Sequence, residues 1–273
     1  AARALQDAPL IEASQVAAIV FTSGTTGAPT AHLKRWGGLC ADGEAEAQRL
    51  SSQGLAIIAT VPSQHMYGLE SSVMLTLRGG ARLWRERPFY PADICAALRA
   101  APGPRMLVTT PFHLGALLAA QVALPSCERL LCSTAPLPVA LARQAEAAFG
   151  SPLTEIYGCT ESGQIATRRP TQDEAWHLLD GVQLDVSAEG AWAHGGHVQI
   201  RVKLSDHIEP LDERRFRLGS RHADMVNVAG KRASLSALTA QLLGVEGVTD
   251  GCFFLPQTPA AEKQAGAQRL AAL

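Results

Sequence analysis

Long apolar runs are missing from these 273 residues: the longest, Leu55 to Val61 and the helical-looking Leu114 to Leu124, fall well short of the roughly 20 residues that cross a bilayer. No membrane span is expected. Cysteine is sparse. Six residues, at 40, 95, 127, 132, 159 and 252, with no Cys-x-x-Cys pair, exclude a disulfide scaffold and a zinc or redox knuckle, and read as the reduced thiols of a cytoplasmic protein. Excess positive charge is also absent. The 24 Lys and Arg stand against 25 Asp and Glu, a formal net charge of −1, so no electrostatically driven nucleic-acid binding is expected. There is no Walker loop, no Gly-x-Gly-x-x-Gly and no Gly-x-Ser-x-Gly, which removes the specific signals of P-loop ATPases, dinucleotide folds and α/β serine hydrolases. Nor is there a repeat of fixed period. The N-terminal Ala-Ala-Arg-Ala-Leu-Gln-Asp7 has neither an initiator Met nor an apolar signal core, and reads as a cut made inside a longer protein.

What is present is a folded composition, 47% hydrophobic and 18% charged, with an alternating rhythm of elements. Residues 16–21 predict a buried strand running into a polar loop. Helices are expected over 36–53, 91–101, 111–123 and 138–149, the last three opening on proline. Strands are expected at 55–61, 81–84, 105–109, 129–132 and 153–157. Helix and strand alternating in this way define an α/β class, a layered, largely parallel sheet flanked by helices, over residues 1–165. From 166 to 222 short alternating segments such as 182–186 and 197–202 predict a smaller β-rich subdomain. From 223 to 273 the pattern gives a strand at 225–228, a helix near 234–243, an apolar 252–255 and a helix-like 264–273.

Two segments carry chemistry. Thr22-Ser-Gly-Thr-Thr-Gly-Ala-Pro29 places four hydroxyls and two glycines directly after a strand; glycines let the backbone N–H groups approach an anion, and the hydroxyls add donors for phosphate oxygens. At a strand end, Tyr157-Gly-Cys-Thr-Glu-Ser162 offers a ring for a base, a hydroxyl for phosphate and a carboxylate for magnesium, at the place where open parallel sheets collect ligands. By contrast His194-Gly-Gly-His197, His207 and His222 lack a supporting cysteine or carboxylate cluster and read as loop or surface histidines, not zinc ligands.

The first segment resembles the phosphate loop of the AMP-forming adenylating enzymes, the superfamily of acyl-CoA and aryl-CoA synthetases, and the second resembles their adenine and magnesium motif. Pro62-Ser-Gln-His-Met-Tyr-Gly-Leu69 is similar to their His-containing segment beside the acid, Ser133-Thr-Ala-Pro-Leu137 to their adenine-side turn, and Ser220 to Arg232 to their hinge motif. The resemblance implies ATP and magnesium as cofactors, and a carboxylic acid joined first to AMP and then to a thiol, CoA or an acyl carrier protein. It implies that Thr22, Ser23, Gly24, Thr25, Thr26 and Gly27 surround the pyrophosphate and that Glu161 holds magnesium with Thr160 beside the α-phosphate. Tyr157 and Gly158 with Ser133, Thr134 and Ala135 would hold adenine, Asp206 and Arg221 the ribose, and His65 the acid. Residues 223–273 would be the start of a truncated α+β lid. Departures are equally specific. Thr30 stands where the family keeps a lysine, with Lys34 the nearest cation; Ser220 and Ala223 replace the hinge pair; and Lys263 lacks the setting of the lid lysine. These leave a catalytically degenerate nucleotide-binding or scaffold homologue as the alternative. Residues 225–232 and 247–255 resemble a bacterial subgroup tied to aryl-polyene pigments, which implies an aromatic or unsaturated acid.

Overall fold

The computed structural model describes residues 9–23, 29–221, 225–228, 231–243, 245, 247–248, 251–254, 256 and 270–273. The chain opens with an antiparallel pair, β1 (Val16–Ser23) and β2 (Pro29–Arg35), in which Thr22 faces Thr30 and Val20 faces His32. The reading of residues 16–21 as a buried strand is corrected here. The pair stands apart from the main sheet, and only Val20 is buried, with Ile19 52% and Phe21 59% exposed.

After α1 (Trp36–Leu50) come β3 (Ala56–Ala59), α2 (Met66–Gly68), a π-helical stretch over Leu69–Met74, and α3 (Leu75–Gly79). The chain continues through β4 (Arg82–Leu83), α4 (Pro91–Ala100), β5 (Arg105–Thr109), α5 (Pro111–Ala119), β6 (Arg129–Cys132), α6 (Val139–Phe149) and β7 (Leu153–Cys159). Then follow β8 (Gly163–Arg168), β9 (Trp176–Leu178), β10 (Gln183–Ser187), β11 (Gly190–Gly195), β12 (Val198–Leu204), β13 (Asp206–Pro210) and β14 (Arg215–Arg221). Last are β15 (Met225–Val228), β16 (Lys231–Ser234), α7 (Leu235–Leu243), β17 (Phe253–Phe254) and β18 (Ala271–Ala272). The helix expected over 264–273 is not seen where it can be checked: Ala271 and Ala272 pair with Phe254 and Phe253 as a strand, and 261–269 lie outside the described residues.

Nine strands form one sheet in the order β13-β14-β9-β8-β7-β6-β5-β3-β4. The half from β4 to β7 is parallel, each strand returning through a helix, while β8, β9, β14 and β13 add antiparallel neighbours. Successive strand residues point to opposite faces. Ile58, Leu107 and Leu130 therefore pack with Ile94, Leu98, Leu114 and Phe149 beneath α4, α5 and α6. Ile57, Met106 and Leu131 pack with Leu50, Tyr67 and Leu75 on the other side. Both faces are covered, as uninterrupted apolar strands require. Each such Leu or Ile contributes about 1.5–3 kcal/mol by leaving water. A third cluster around Trp176, Val182, Ala193 and Phe216 joins the antiparallel half to the separate three-stranded sheet β10-β11-β12.

Candidate active site

Parallel strands deliver all their carboxyl ends to one edge, and helices leave the adjoining space open. At that edge lies a cavity of about 580 Å³. Its floor comes from the residues that end the strands: Thr60 and Val61 after β3, Thr110 after β5, Ser133 and Thr134 after β6, and Gly158, Cys159 and Thr160 from β7. His65, Met66, Tyr67 and Glu70 close a second wall, Gly163 and Gln164 of β8 a third, and Arg87, Phe89 and His113 a fourth.

The local geometry is specified residue by residue. Ser133 Oγ donates to the Ile156 carbonyl at 3.0 Å, tying the β6 end to β7. Thr134 has φ +84°, a conformation that a β-branched residue adopts at a cost of about 1–3 kcal/mol and that marks functional sites. Gly158 faces the turn so closely that a Cβ there would lie 2.2 Å from the Gly163 carbonyl oxygen. Tyr67 is fully buried, its hydroxyl donating to the carbonyls of Thr109 at 3.1 Å and Leu131 at 3.0 Å. Burial keeps that phenol protonated, pushing its pKa well above the ordinary value.

Of the residues singled out from sequence, His65, Ser133, Thr134, Gly158 and Thr160 line this cavity together. Ala135 is exposed and not on its wall. Tyr157 does not line it either, which departs from the expected open stacking ring. Ile156 lines the cavity, and alternation along β7 turns the next residue to the opposite face. Its ring packs against Trp176 and Phe216, and its hydroxyl donates to Asp206 Oδ2 at 2.8 Å. Asp206 is itself buried, opposite Arg221 in the β13–β14 ladder. Glu161 lies in the β7–β8 turn, its side chain 46% exposed, beside a recess of about 110 Å³ that shares Met66 and Glu70 with the larger cavity. Ser23 ends β1 opposite Pro29. Gly24, Thr25, Thr26, Gly27, Ala223 and Lys263 lie outside the described residues, as do parts of 225–232 and 247–255.

The β1–β2 pair is fastened to the site by Thr22, Lys34 and a side chain that sequence reasoning passed over, His32. Thr22 Oγ1 and His32 Nε2 are 2.9 Å apart, the same nitrogen stands 3.6 Å from Glu161 Oε1, and Lys34 Nζ donates to the Glu161 carbonyl at 3.1 Å. Behind them lies a buried acidic group. Asp42, Glu46 and Glu70 are each no more than 2% exposed, and His197 Nε2 pairs with Asp42 Oδ1 at 3.3 Å and contacts the Gln164 carbonyl at 2.5 Å. The reading of His197 as a surface histidine is therefore corrected. The turn before β12 folds it inward, beside the Asp42 carboxyl. Burial, with the neighbouring Asp42 carboxylate adding to it, pushes Glu46 up to about 8. Glu70 is held well above the usual carboxylate range, by burial first and then by Asp42, and burial also raises Asp42. Among the described residues no three His, Cys, Asp or Glu stand together as a metal cage. A single half-exposed carboxylate such as Glu161 suits a magnesium ion whose other ligands are water and substrate phosphates.

The larger cavity thus lies at the carboxyl edge of a mostly parallel sheet, beside the Gly158-Cys159-Thr160 end of β7, and the β1–β2 pair reaches the adjoining recess through Lys34. Residues 2–187 match the family described as AMP-binding enzyme, and the chain belongs to that family, the AMP-forming adenylating enzymes. It is 36% identical over 251 residues to a 4-coumarate--CoA ligase of Rhodobacter capsulatus, covering 90% of this chain and 63% of that protein. A 4-coumarate--CoA ligase of Halorhodospira halophila is 30% identical over 228 residues, covering 83% and 56%. Among solved structures, O-succinylbenzoate coenzyme A synthetase (MenE) from Bacillus subtilis with AMP superposes with a TM-score of 0.79 at 17% identity, over 96% of this chain and 59% of that one. ATP-bound MatB from Rhodopseudomonas palustris gives 0.75 at 18%, over 90% and 56%. The chain thus spans less than two thirds of the relatives it matches, and the two structures bear on the fold alone. No described helix is long and apolar enough to cross a membrane.

Proposed function

We propose that the chain forms the nucleotide- and acid-binding part of an ATP-dependent, AMP-forming ligase that activates an aryl or unsaturated carboxylic acid for transfer to a thiol, CoA or an acyl carrier protein. The observation that carries this reading is the convergence of His65, Ser133, Thr134, Gly158 and Thr160 on one cavity, with Glu161 on the adjoining recess. The names of the two ligase relatives support the aromatic acid class. An acid carboxylate oxygen attacks the α-phosphorus of ATP, pyrophosphate departs, and the thiol sulfur then displaces AMP from the acyl carbon. Glu161 would hold a magnesium ion, which would neutralise charge on the phosphates. Thr160 faces the α-phosphate, Thr22 to Gly27 take the pyrophosphate, and Ser133 and Thr134 border adenine. Asp206 and Arg221 take the ribose, with Tyr157 fixing Asp206 from behind. His65 borders the acid. Such a step needs alignment and preorganised charge more than a general base.

Calorimetric titration with ATP and magnesium, followed by AMP, tests the reading. Saturable binding that competes between the two nucleotides is expected. A folded sample that takes up neither would instead favour a scaffold that has kept only the architecture.

A further inference from the structure

One face of β2 holds the middle of the β7–β8 turn at two points. Strand alternation puts Thr30, His32 and Lys34 on that face and Ala31, Leu33 and Arg35 on the other, so Leu33 is 59% exposed while Lys34 is 9% exposed. His32 Nε2 stands 3.6 Å from the Glu161 carboxylate, and Lys34 Nζ donates to the Glu161 carbonyl at 3.1 Å, across 127 residues of chain. Lysine is almost never buried without a partner. Among the described residues Lys34 forms no ion pair, and its hydrogen bond goes to this main-chain oxygen. Asp42 and Glu70 line the same recess, where the Lys34 charge opposes the upward shift that burial gives both carboxyls.

Inside the turn, Ser162 Oγ accepts from the Cys159 N–H at 3.4 Å and donates to the Gly163 carbonyl at 2.9 Å. These bonds tie the two strand ends to each other and leave Thr160 and Glu161 to be held from outside, which among the described residues is done by His32 and Lys34. A tether on a carbonyl fixes more than a tether on a side chain, because the Glu161 oxygen lies in the rigid peptide plane that continues into Ser162. Lys34 also stands four residues, or about 13 Å, along β2 from Thr30, whose cross-strand partner Thr22 leads toward the phosphate loop. The cation therefore serves the turn and not the loop. We infer that Lys34 is a positioning residue for the magnesium carboxylate: its charged hydrogen bond fixes the Glu161 peptide, and with it the direction in which Glu161 and Thr160 face a bound nucleotide. This rests on the ligase reading above and adds to it a residue that touches neither phosphate nor metal.

The test has two readouts on the unaltered chain, Lys34→Met and Lys34→Arg. Amide hydrogen exchange of residues 159–163 is followed without ligand, and ATP is titrated calorimetrically with magnesium and with the metal chelated. Lys34→Met should speed exchange in the turn by at least about tenfold while the amides of β5 and β6 keep their rates, the scale of losing one charge-assisted hydrogen bond in a local opening. It should weaken ATP–magnesium binding about tenfold and leave metal-free ATP within about twofold. Lys34→Arg, which keeps the charge and a donor, should bring both readouts back to within about threefold. A lysine that touched phosphate would weaken both forms of ATP alike, and a merely structural one would speed exchange in β5 and β6 as well; either result overturns the assignment, as does unchanged exchange in the turn. Should Lys34→Met fail to fold, Lys34→Gln is read by the same criteria. Loss of nucleotide binding in the unaltered chain would strike at the ligase reading, while exchange in the turn would still decide whether Lys34 holds it.

Discussion

Glu161 and His32 show how much a single side chain can decide here. Glu161 is held at the turn by its neighbours: Lys34 grips its carbonyl and His32 stands 3.6 Å from its carboxylate while meeting Thr22 at 2.9 Å. Replacing Glu161 with Ala should cut acid-dependent pyrophosphate release by at least about a hundredfold with the fold intact, the scale of losing one preorganised charge-stabilising group. His32→Ala should act more gently, raising the magnesium concentration for half-activation about threefold to tenfold, because it removes a support and not the ligand. A magnesium titration separates the two, and an unshifted midpoint in His32→Ala would end its role. Both motifs stand out in the sequence because runs such as Thr-Ser-Gly-Thr-Thr-Gly concentrate hydroxyls and glycines in a few positions. His113, Glu70 and His197 do not. A polar residue in a sequence looks the same whether it faces water or a cavity, and only burial turns it into a chemical statement. Tyr157 illustrates the reverse case. Its ring was expected open for stacking, yet strand alternation turned it away from the cavity.

At the scale of elements, legibility followed how a strand is covered. β5 and β6 were bounded to the residue, since strands buried on both faces are uninterrupted apolar runs. The helical stretch from Met66 to Gly79 was missed because Glu70, Ser71 and Ser72 lie buried on it and break the apolar period. β1 was identified as a strand but given the wrong surroundings, for its apolar residues pair only with β2. The β7–β8 hairpin is the element on which the site depends most. Its register shifts between Tyr157 and Gly158, where Gly158 nearly touches the Gly163 carbonyl, while Gly163 itself, at φ +78°, leaves a gap that a Cβ would close to 2.6 Å from Glu70 Oε1. Gly158→Ala should therefore destabilise the protein by about 1–3 kcal/mol, the cost of overpacking against backbone, and weaken nucleotide binding by displacing Thr160 and Glu161. Thermal melts with and without ATP–magnesium measure both effects. A variant with unchanged melting temperature would show that the turn has more room than its geometry indicates.

The whole molecule is stitched through its acidic interior, and that makes its stability a function of pH. Asp42 and Glu46 come from α1, Glu70 from the π-helical stretch, Gln164 from β8 and His197 from the turn before β12, so the group joins the helical face of the parallel half to the three-stranded sheet. Glu46 titrates near 8 in the native state against 4.5 in the ordinary case. Between those values the native protein holds a proton that the unfolded chain has released, so stability falls as pH rises, by up to about 1.4 kcal/mol per pH unit for such a group. Asp42 and Glu70 are shifted the same way. Partly exposed Glu146, held down by the Leu153 N–H and Arg169, acts oppositely and weakly, losing its contribution only as pH drops through the acidic range. Urea unfolding should accordingly give a maximum midpoint near pH 5 and a steady decline toward pH 8. Glu46→Gln keeps the shape and removes the ionisation; its midpoint should exceed that of the unaltered protein at pH 8, match or fall below it at pH 5, and vary less between them. If both proteins unfold at the same urea concentration across that range, Glu46 is reached by water and the acidic interior does not govern stability. If the decline persists undiminished in Glu46→Gln, Asp42 and Glu70 carry the proton instead, and the same experiment on Glu70→Gln identifies which of them does.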